Sequence, residues 1–180
     1  MTPSLKEARN KKLDRRKALF LLKKCGCNRE VIKHCTAVSK ESLKLARRLK
    51  KKGFKVDLNF IETASLLHDI GRSRTHGIRH GLEGSRILKK YPKYASVCKK
   101  HIGAGIDKKE AERLGLPAGN YIPKTIEEKI ITHIDNTIEG SKKIPIEKTI
   151  KAYNKKLGKK HPATKRIIRL SEYMKKLLES

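Results

Sequence analysis

The sequence of 180 residues contains no tryptophan, and aromatic residues make up only 4% of the chain. A core built from it is therefore mostly aliphatic, and a chain of this length can bury such a core without disulfide bonds. No apolar run approaches the roughly 20 residues that a membrane-spanning helix requires. The first residues, Met1 to Lys12, also lack the apolar centre of a signal peptide. These absences predict a soluble, cytoplasmic protein without a membrane partner.

Acidic residues are scarce as well. The chain has 18 Asp and Glu against 46 Lys and Arg, which gives a net charge of +28. A charge of this size attracts nucleotides, polyphosphates, nucleic acids or acidic lipids. A general lysine bias, common in chains adapted to heat or high internal salt, explains the same count. Nucleic acid is therefore a candidate partner, and the charge alone does not decide between these explanations.

Cysteine is limited to four residues. Cys25 and Cys27 form a C-x-C pair rather than C-x-x-C, and neither Cys35 nor Cys98 belongs to a second pair that would complete a zinc site. In a cytoplasmic chain such cysteines are expected to be reduced, partly buried thiols.

Apolar residues follow helical spacing along the chain, and no stretch alternates like a strand. This pattern predicts an all-α, single-domain helical bundle of six to nine helices, with residues 1–14 as a basic N-terminal segment and 15–180 as the domain. The longest helix is predicted to start after the N-cap Asn28 and to end near Lys52. Thr125 and Glu128 form a capping box for a later helix, which is expected to end near Gly140. The other predicted helices run from about Arg15 to Lys24, Asp57 or Asn59 to Gly71, His80 to Lys90, Lys93 to His101, Lys108 to Leu114, Ile146 to Leu157 and Pro162 to Leu178.

The adjacent residues His68 and Asp69 end an apolar run, where a helix finishes. His34 lies beside the apolar stripe of the longest predicted helix, and Asp135 lies on another helix. Imidazole and carboxylate together suit divalent Mn, Fe, Co, Ni or Zn, and helical bundles commonly build metal sites from inward-facing side chains. The pattern predicts a metal site in the core, where Asp69 has two oxygens and can bridge two cations.

The order of these residues resembles the H…HD…D signature of the HD superfamily of metal-dependent phosphohydrolases. The segment His-Asp-Ile-Gly at 68–71 has the form after which the HDIG proteins are named. The other segments that carry the resemblance are Leu67 to Arg72, His80-Gly81, His101 to Gly105 and His133 to Asn136. Together they resemble a small archaeal-type family of stand-alone HD hydrolases, over nearly the whole chain from about Lys17 to Leu178.

The resemblance implies the ligands of a binuclear centre. The residues that match the ligands of the first metal are His34, His68, Asp69 and Asp135. His80 and His101 match the additional histidines of the binuclear HD subgroup, in which the shared aspartate bridges two metals. The same pattern is similar to enzymes that split diadenosine tetraphosphate and to enzymes that act on cyclic dinucleotides. The Gly-Tyr-Pro extension of the cyclic-di-GMP enzymes is absent from this chain.

The expected activity is hydrolysis of a phosphoester or phosphoanhydride in a nucleotide-type substrate by metal-activated hydroxide, with His68 and Asp69 as catalytic residues. Basic residues in or just after the adjoining loop are candidates to bind substrate phosphate, the alternative being a solvated loop. These candidates are Arg72, Arg74, His76 and Arg79.

Two further interpretations remain open. In the first, the chain is a nucleic-acid- or nucleotide-binding protein with an HD fold and little or no turnover. The runs Arg47 to Lys52 and Lys155 to Lys160 would then contact phosphates. In the second, a single metal acts in a nucleoside monophosphate phosphatase, and His80 and His101 only position the substrate.

Overall fold

The structure is a computed structural model that describes residues 12–180. These residues form nine α-helices and one short hairpin, which confirms the predicted all-α class. The α-helices are α1 Arg15–Lys24, α2 Arg29–Lys51, α3 Leu58–Leu67, α4 His80–Ile87, α5 Pro92–Lys100, α6 Lys108–Arg113, α7 Ile126–Asp135, α8 Ile146–Leu157 and α9 Pro162–Glu179. The hairpin strands are β1 Ile138–Glu139 and β2 Lys142–Lys143. Residues 1–11, most of the expected basic N-terminal segment, lie outside the described residues.

Side-chain caps set the starts of the main helices. The Asn28 side chain accepts a hydrogen bond from the Val31 backbone N–H at 2.9 Å and starts α2. At the start of α7, Thr125 and Glu128 form both bonds of a capping box. Each such cap satisfies backbone donors that a helix start leaves without partners. The predicted starts of α2 and α7 are therefore confirmed.

Several helices end earlier than predicted. Helix α3 stops at Leu67 rather than Gly71, and Ile70–Ser73 continues as a 3-10 turn. Helix α7 stops at Asp135 rather than near Gly140, because the chain then turns back as an antiparallel pair of two-residue strands. Gly140 sits in that turn with a φ of +60°, which glycine adopts without steric cost. The sequence did not indicate these strands, since two residues are too few to show an alternating pattern.

Glycines let α4 lie directly on the backbone of its neighbours. A Cβ atom on Gly71 would collide with the carbonyl oxygen of His80, and one on Gly81 would lie 2.5 Å from the carbonyl oxygen of Cys98. The 3-10 turn, α4 and α5 therefore approach one another more closely than side chains would permit. This packing brings the first residue of α4, His80, beside Asp69.

Three helices run side by side in the same direction. Residues at the starts of α3, α5 and α7, such as Asp57, Pro92 and Thr125, line one cavity. The Asp57 N–H donates to Glu127 at 3.3 Å, and Ser96 in the middle of α5 donates to Glu128 at 2.6 Å. The last turns of the three helices lead to His68, His101 and Asp135. The core around them is aliphatic; its fully buried members include Leu22, Leu49, Ile61, Leu66, Leu67, Ile130, Ile131 and Ile167. Among residues 12–180, no helix combines the length and the apolarity needed to cross a membrane.

Candidate metal centre

The structure brings all six predicted ligand residues together around Asp69. One carboxylate oxygen of Asp69, Oδ1, lies 3.0 Å from His80 Nε2 and 3.2 Å from His101 Nε2. The other oxygen, Oδ2, lies 3.8 Å from His34 Nε2 and 3.7 Å from His68 Nε2. The two oxygens therefore face two different pairs of histidines.

Asp135 completes the first of these two sets of donor atoms. Its Oδ1 lies 2.9 Å from His34 Nε2 and 3.3 Å from His68 Nε2. The donor atoms of His34, His68 and Asp135 all lie within 4.8 Å of one another, and so do those of His68, Asp69 and His101. The centre thus consists of two adjoining sets of donors that share Asp69.

A backbone carbonyl holds the Nδ1 atom of each of the four histidines. The Nδ1 to oxygen distances are 2.8 Å for His34 and Gly140, 2.6 Å for His68 and Ser65, 2.8 Å for His80 and Gly77, and 2.9 Å for His101 and Cys98. A carbonyl oxygen only accepts hydrogen bonds, so each Nδ1 must carry the hydrogen. In a neutral ring this leaves Nε2 with a bare lone pair directed into the centre, the form in which histidine binds metal.

These bare nitrogen atoms conflict with one another unless a cation lies among them. The Nε2 atoms of His80 and His101 are only 3.0 Å apart. His68 Nε2 and Asp69 Oδ1 are fully buried and have no hydrogen-bond partner. Buried polar atoms without partners are rare in native proteins and call for an explanation. A donor set of imidazole nitrogens and carboxylate oxygens fits a divalent Mn, Fe, Co, Ni or Zn ion, and would satisfy these atoms.

The pKa values in the centre follow from mutual attraction. Burial alone would raise the pKa of Asp69 and of Asp135, but the neighbouring histidines, His68 foremost, hold both carboxyl pKa values well below their usual range. Burial would lower the pKa of His68, but the two carboxylates raise it well above its usual value. The pKa of His101 is lowered, mainly by burial. Both carboxylates are therefore ionised at neutral pH and available to a cation.

The ends of three helices add to this negative character. His68 follows the last residue of α3, His101 follows the last residue of α5, and Asp135 is the last residue of α7. The C-terminal end of a helix carries a partial negative charge, which favours a cation nearby. Local backbone and side chains thus act in the same sense at this point of the fold.

Solvent reaches the centre from one side. The side chains of His34 and Asp135 are 18% and 19% exposed, whereas that of Asp69 is 2% exposed. Arg72 lies at the same rim: its Nε donates to Asp69 Oδ2, and its side chain is 32% exposed. A substrate would therefore meet His34, Asp135 and Arg72 first.

The structure separates the four predicted phosphate-binding residues. Arg72 contacts the centre through Asp69, whereas Arg79 donates to the carbonyl oxygen of Gly115 at 2.8 Å, away from it. Arg74 and His76 are exposed. Within residues 12–180, Arg72 is the one member of this group whose side chain contacts a residue of the metal centre.

Two residues near the centre could not be predicted from the sequence. The carbonyl oxygen of Gly140 orients His34 from a distance of 106 residues along the chain. Tyr153 of α8 packs against Gly103, two residues after His101, and burial and Asp135 raise its pKa. No motif marks either residue, because both reach the centre only through tertiary packing of the segment after α7.

Comparison with known proteins adds the family context. The model of the family described as HD domain matches residues 31–140, a range that contains all six ligand candidates. One relative is an uncharacterized protein of Methanocaldococcus jannaschii, 49% identical over 166 residues that cover 91% of this chain and 98% of that protein.

Two further relatives are tRNA (cytidine(56)-2'-O)-methyltransferases, one from Thermoplasma volcanium and one from Picrophilus torridus. Each is 36% identical, over 89% and 88% of this chain respectively. The chain spans 46% of the length of each, so it corresponds to about half of these longer proteins. No solved structure gives a significant match.

Proposed function

The chain belongs to the HD domain family, and on that premise we propose that it is a metal-dependent phosphohydrolase. The proposed reaction is hydrolysis of a phosphoester or phosphoanhydride in a nucleotide-type substrate. Residues 15–180 form the proposed catalytic domain, and its six metal ligands are His34, His68, Asp69, His80, His101 and Asp135.

One observation carries this proposal. Four Nε2 atoms, each with its ring oriented by a carbonyl on Nδ1, converge on the two oxygens of Asp69 and on Asp135. The division of Asp69, with Oδ1 toward one pair of histidines and Oδ2 toward the other, supports two cations rather than one. Bound divalent cations would supply Lewis acidity, by lowering the pKa of a water and neutralising charge on phosphate oxygens.

The chain's own residues then have distinct proposed roles. Asp69 would bind on both sides of the centre, because its two oxygens face different pairs of histidines. The fully buried His68 would be a ligand on the side away from solvent. His34 and Asp135 face the solvent side, where the scissile phosphate would enter. Arg72 presents a partly exposed guanidinium at that rim, with a planar fork suited to phosphate oxygens.

Turnover by a designed ligand variant tests the proposal. Wild-type protein and Asp69→Ala would be assayed with bis-p-nitrophenyl phosphate and a nucleotide panel in Mn, Co, Ni or Mg. We expect the variant to lose at least about 100-fold in kcat/KM, because it removes the residue shared by both halves. Glu112→Ala, which changes an exposed carboxylate on α6, is the matched control and should keep wild-type activity.

Metal content measured by native mass spectrometry separates two metals from one. Two ions per chain in the wild type and a loss in Asp69→Ala would support the binuclear centre. One ion per chain would support the single-metal phosphatase instead. Equal turnover of Asp69→Ala and wild type would contradict the hydrolase proposal as a whole.

A second candidate function is nucleic-acid binding with little or no turnover. Two observations favour it: the net charge of +28, and two relatives named as tRNA methyltransferases in which a region similar to this chain makes up about half of the protein. Binding of tRNA, followed by salt-dependent retention on heparin, would be measured beside turnover. Tight tRNA binding with no hydrolysis across the substrate panel would favour this candidate over the first.

A further inference from the structure

A groove on the outer side of α4 and α5 is lined by cations. The cavity has a volume of about 710 Å³, and the segment Pro117–Tyr121 forms its opposite wall. Its basic lining residues are Arg86, Lys89, Lys99 and Lys100, and among the described lining residues there is no aspartate or glutamate. The charged side chains among the described lining residues of this groove are therefore all basic.

Two of these basic residues make no ion pair within residues 12–180. Lys100 is paired with the buried Glu128 at 2.7 Å, and Arg86 is paired with Glu83. Lys89 and Lys99 are exposed, and neither makes an ion pair with another residue in the range 12–180. They are therefore available to an anionic ligand in the groove.

A second cavity adjoins the first along α5. It has a volume of about 610 Å³ and shares Pro92, Ser96 and Lys100 with the cationic groove. Two half-buried aromatic rings, Phe60 and Tyr91, lie in its wall. A planar, apolar group bound in this cavity would lie next to the groove, because the two cavities share these three lining residues.

The second cavity differs from the groove because both carboxylates and lysines line it: Asp57, Glu127, Glu128, Lys12, Lys93, Lys100 and Lys124. Glu128 already accepts from Ser96 and Lys100, and Glu127 accepts from the Asp57 N–H. They would repel a phosphate but can still accept hydrogen bonds from the N–H groups of a base. Phosphates therefore belong in the groove, and a base in the aromatic cavity.

We propose that these two joined cavities bind a single-stranded segment of RNA. Its phosphates would contact Lys89 and Lys99, and one unstacked base would lie against Tyr91. Cationic grooves with aromatic platforms are the usual means of holding single strands. The inference rests on the nucleic-acid binding proposed above and names its surface; it requires no loss of hydrolase turnover. His101 follows the last residue of α5, which is about 14 Å long, so the groove and the metal centre adjoin the same short helix.

Charge reversal in the groove tests the phosphate contacts. Anisotropy of a labelled single-stranded RNA and of a tRNA transcript would be measured from low to physiological salt. For Lys89→Glu combined with Lys99→Glu we expect binding to weaken at least about tenfold, and the salt slope to fall by about one for each lysine. The matched control is Lys23→Glu combined with Lys24→Glu, with the same charge change on two exposed lysines at the end of α1, which should weaken binding less than about threefold.

A pair of substitutions at Tyr91 tests the base contact. Tyr91→Leu keeps an apolar side chain but removes the ring, and we expect single-stranded RNA to bind about tenfold more weakly. Tyr91→Phe keeps the ring and should bind as the wild type does. Circular dichroism melting of all variants checks that each is folded, so that a loss of affinity reports on the surface.

These outcomes separate the inference from the proposed hydrolase. The groove variant should keep wild-type metal content and wild-type turnover of bis-p-nitrophenyl phosphate, because Lys89 and Lys99 are not ligands. Equal weakening by the α1 control pair would overturn the groove as the binding surface. Equal affinity for duplex and single-stranded RNA, with no effect of Tyr91→Leu, would overturn the base cavity. Either result would leave the hydrolase proposal standing.

Discussion

The two ends of α3, α5 and α7 differ in how firmly they hold their side chains. At the C-terminal end, His68 and His101 are 0% and 2% exposed, and a backbone carbonyl fixes each ring. At the N-terminal end, Tyr91 and Phe60 are half-buried beside an open cavity, and Lys93 is exposed. One end has a fixed geometry throughout, whereas the other combines the buried, hydrogen-bonded Glu128 with partly exposed side chains around an open cavity.

The difference follows from the direction of the helices. Because the three run in parallel, their partial negative charges meet at the metal centre and their partial positive charges meet at the cavity. The same helices therefore favour a cation at the metal centre, whereas at the cavity Glu127 and Glu128 already offset the positive end of α7. The three helices alone therefore account for the different electrostatic character of the two ends.

Metal removal is the change expected to break this comparison most strongly. Chelation should abolish turnover and leave the C-terminal end with unbalanced carboxylates and opposed Nε2 atoms. Adding Mn to about 100 times its Kd should raise the free energy of unfolding by about 2.7 kcal/mol. Thermal melts with and without chelator measure this. RNA affinity should stay within about twofold of its original value. A melting temperature that is the same with and without metal would contradict the proposed metal centre.

Gly71→Ala is expected to have the next largest effect. Its Cβ would collide with the carbonyl oxygen of His80, so α4 must move away from the 3-10 turn. We expect a loss of about 3 kcal/mol in the free energy of unfolding, with weaker metal binding, because His80 moves with α4. Gly77→Ala, where an added Cβ meets only the Thr75 side chain at 3.7 Å, is the control. Urea unfolding measures the stability, and native mass spectrometry measures the metal content. Wild-type values of both quantities for Gly71→Ala would refute the packing argument.

Arg72→Gln should have a smaller effect, confined to the rim of the centre. We expect kcat/KM to fall about tenfold to 100-fold, because a charged hydrogen-bond donor to phosphate is lost. Arg74→Gln removes the same charge from an exposed residue two positions later and should change kcat/KM less than about threefold. Steady-state kinetics on a phosphodiester compares the two. Equal losses would mean that the loop acts through its overall charge alone.

Acid titration of the N-terminal end should give the smallest effect. Burial alone would raise the pKa of Glu128, but hydrogen bonds from Lys100, Ser96 and the Lys124 N–H lower it below its usual 4.5. A lowered folded-state pKa contributes stability above pH 4.5 that is lost as the pH falls through the folded value. Glu128→Gln should therefore be less stable than the wild type at pH 7, with a deficit that shrinks below pH 4.5. Denaturant midpoints across pH 3 to 7 measure it, and a deficit independent of pH would contradict this assignment.

The sequence predicts the C-terminal end of these helices better than the N-terminal end. His68 and Asp69 are recognisable because both lie where an apolar helix stops, and local rules describe such an end. The Nδ1 atoms of His68, His80 and His101 each contact the carbonyl three residues earlier, so their orientation is also a local property. The orientation of these three rings is therefore the part of the candidate centre that follows from local sequence.

Contacts between distant segments could not be predicted in the same way. His34 is oriented by Gly140, and Arg79 is drawn away from the centre by Gly115, 36 residues later. Neither contact leaves a periodic or local pattern. The two-residue strands after α7 and the cavity walls around α5 are of the same kind, because each depends on how separate segments pack.

The bare inner face of α4 has a consequence for how this fold can change over time. Gly71 and Gly81 set the position of α4 by contact between backbones, so His80 stays in place whatever side chains the outer face carries. Arg86 on that outer face, and Lys89 just after the helix, can then be exchanged without disturbing the centre. The helix allows descendants of this chain to acquire new binding partners while the position of His80 is inherited unchanged.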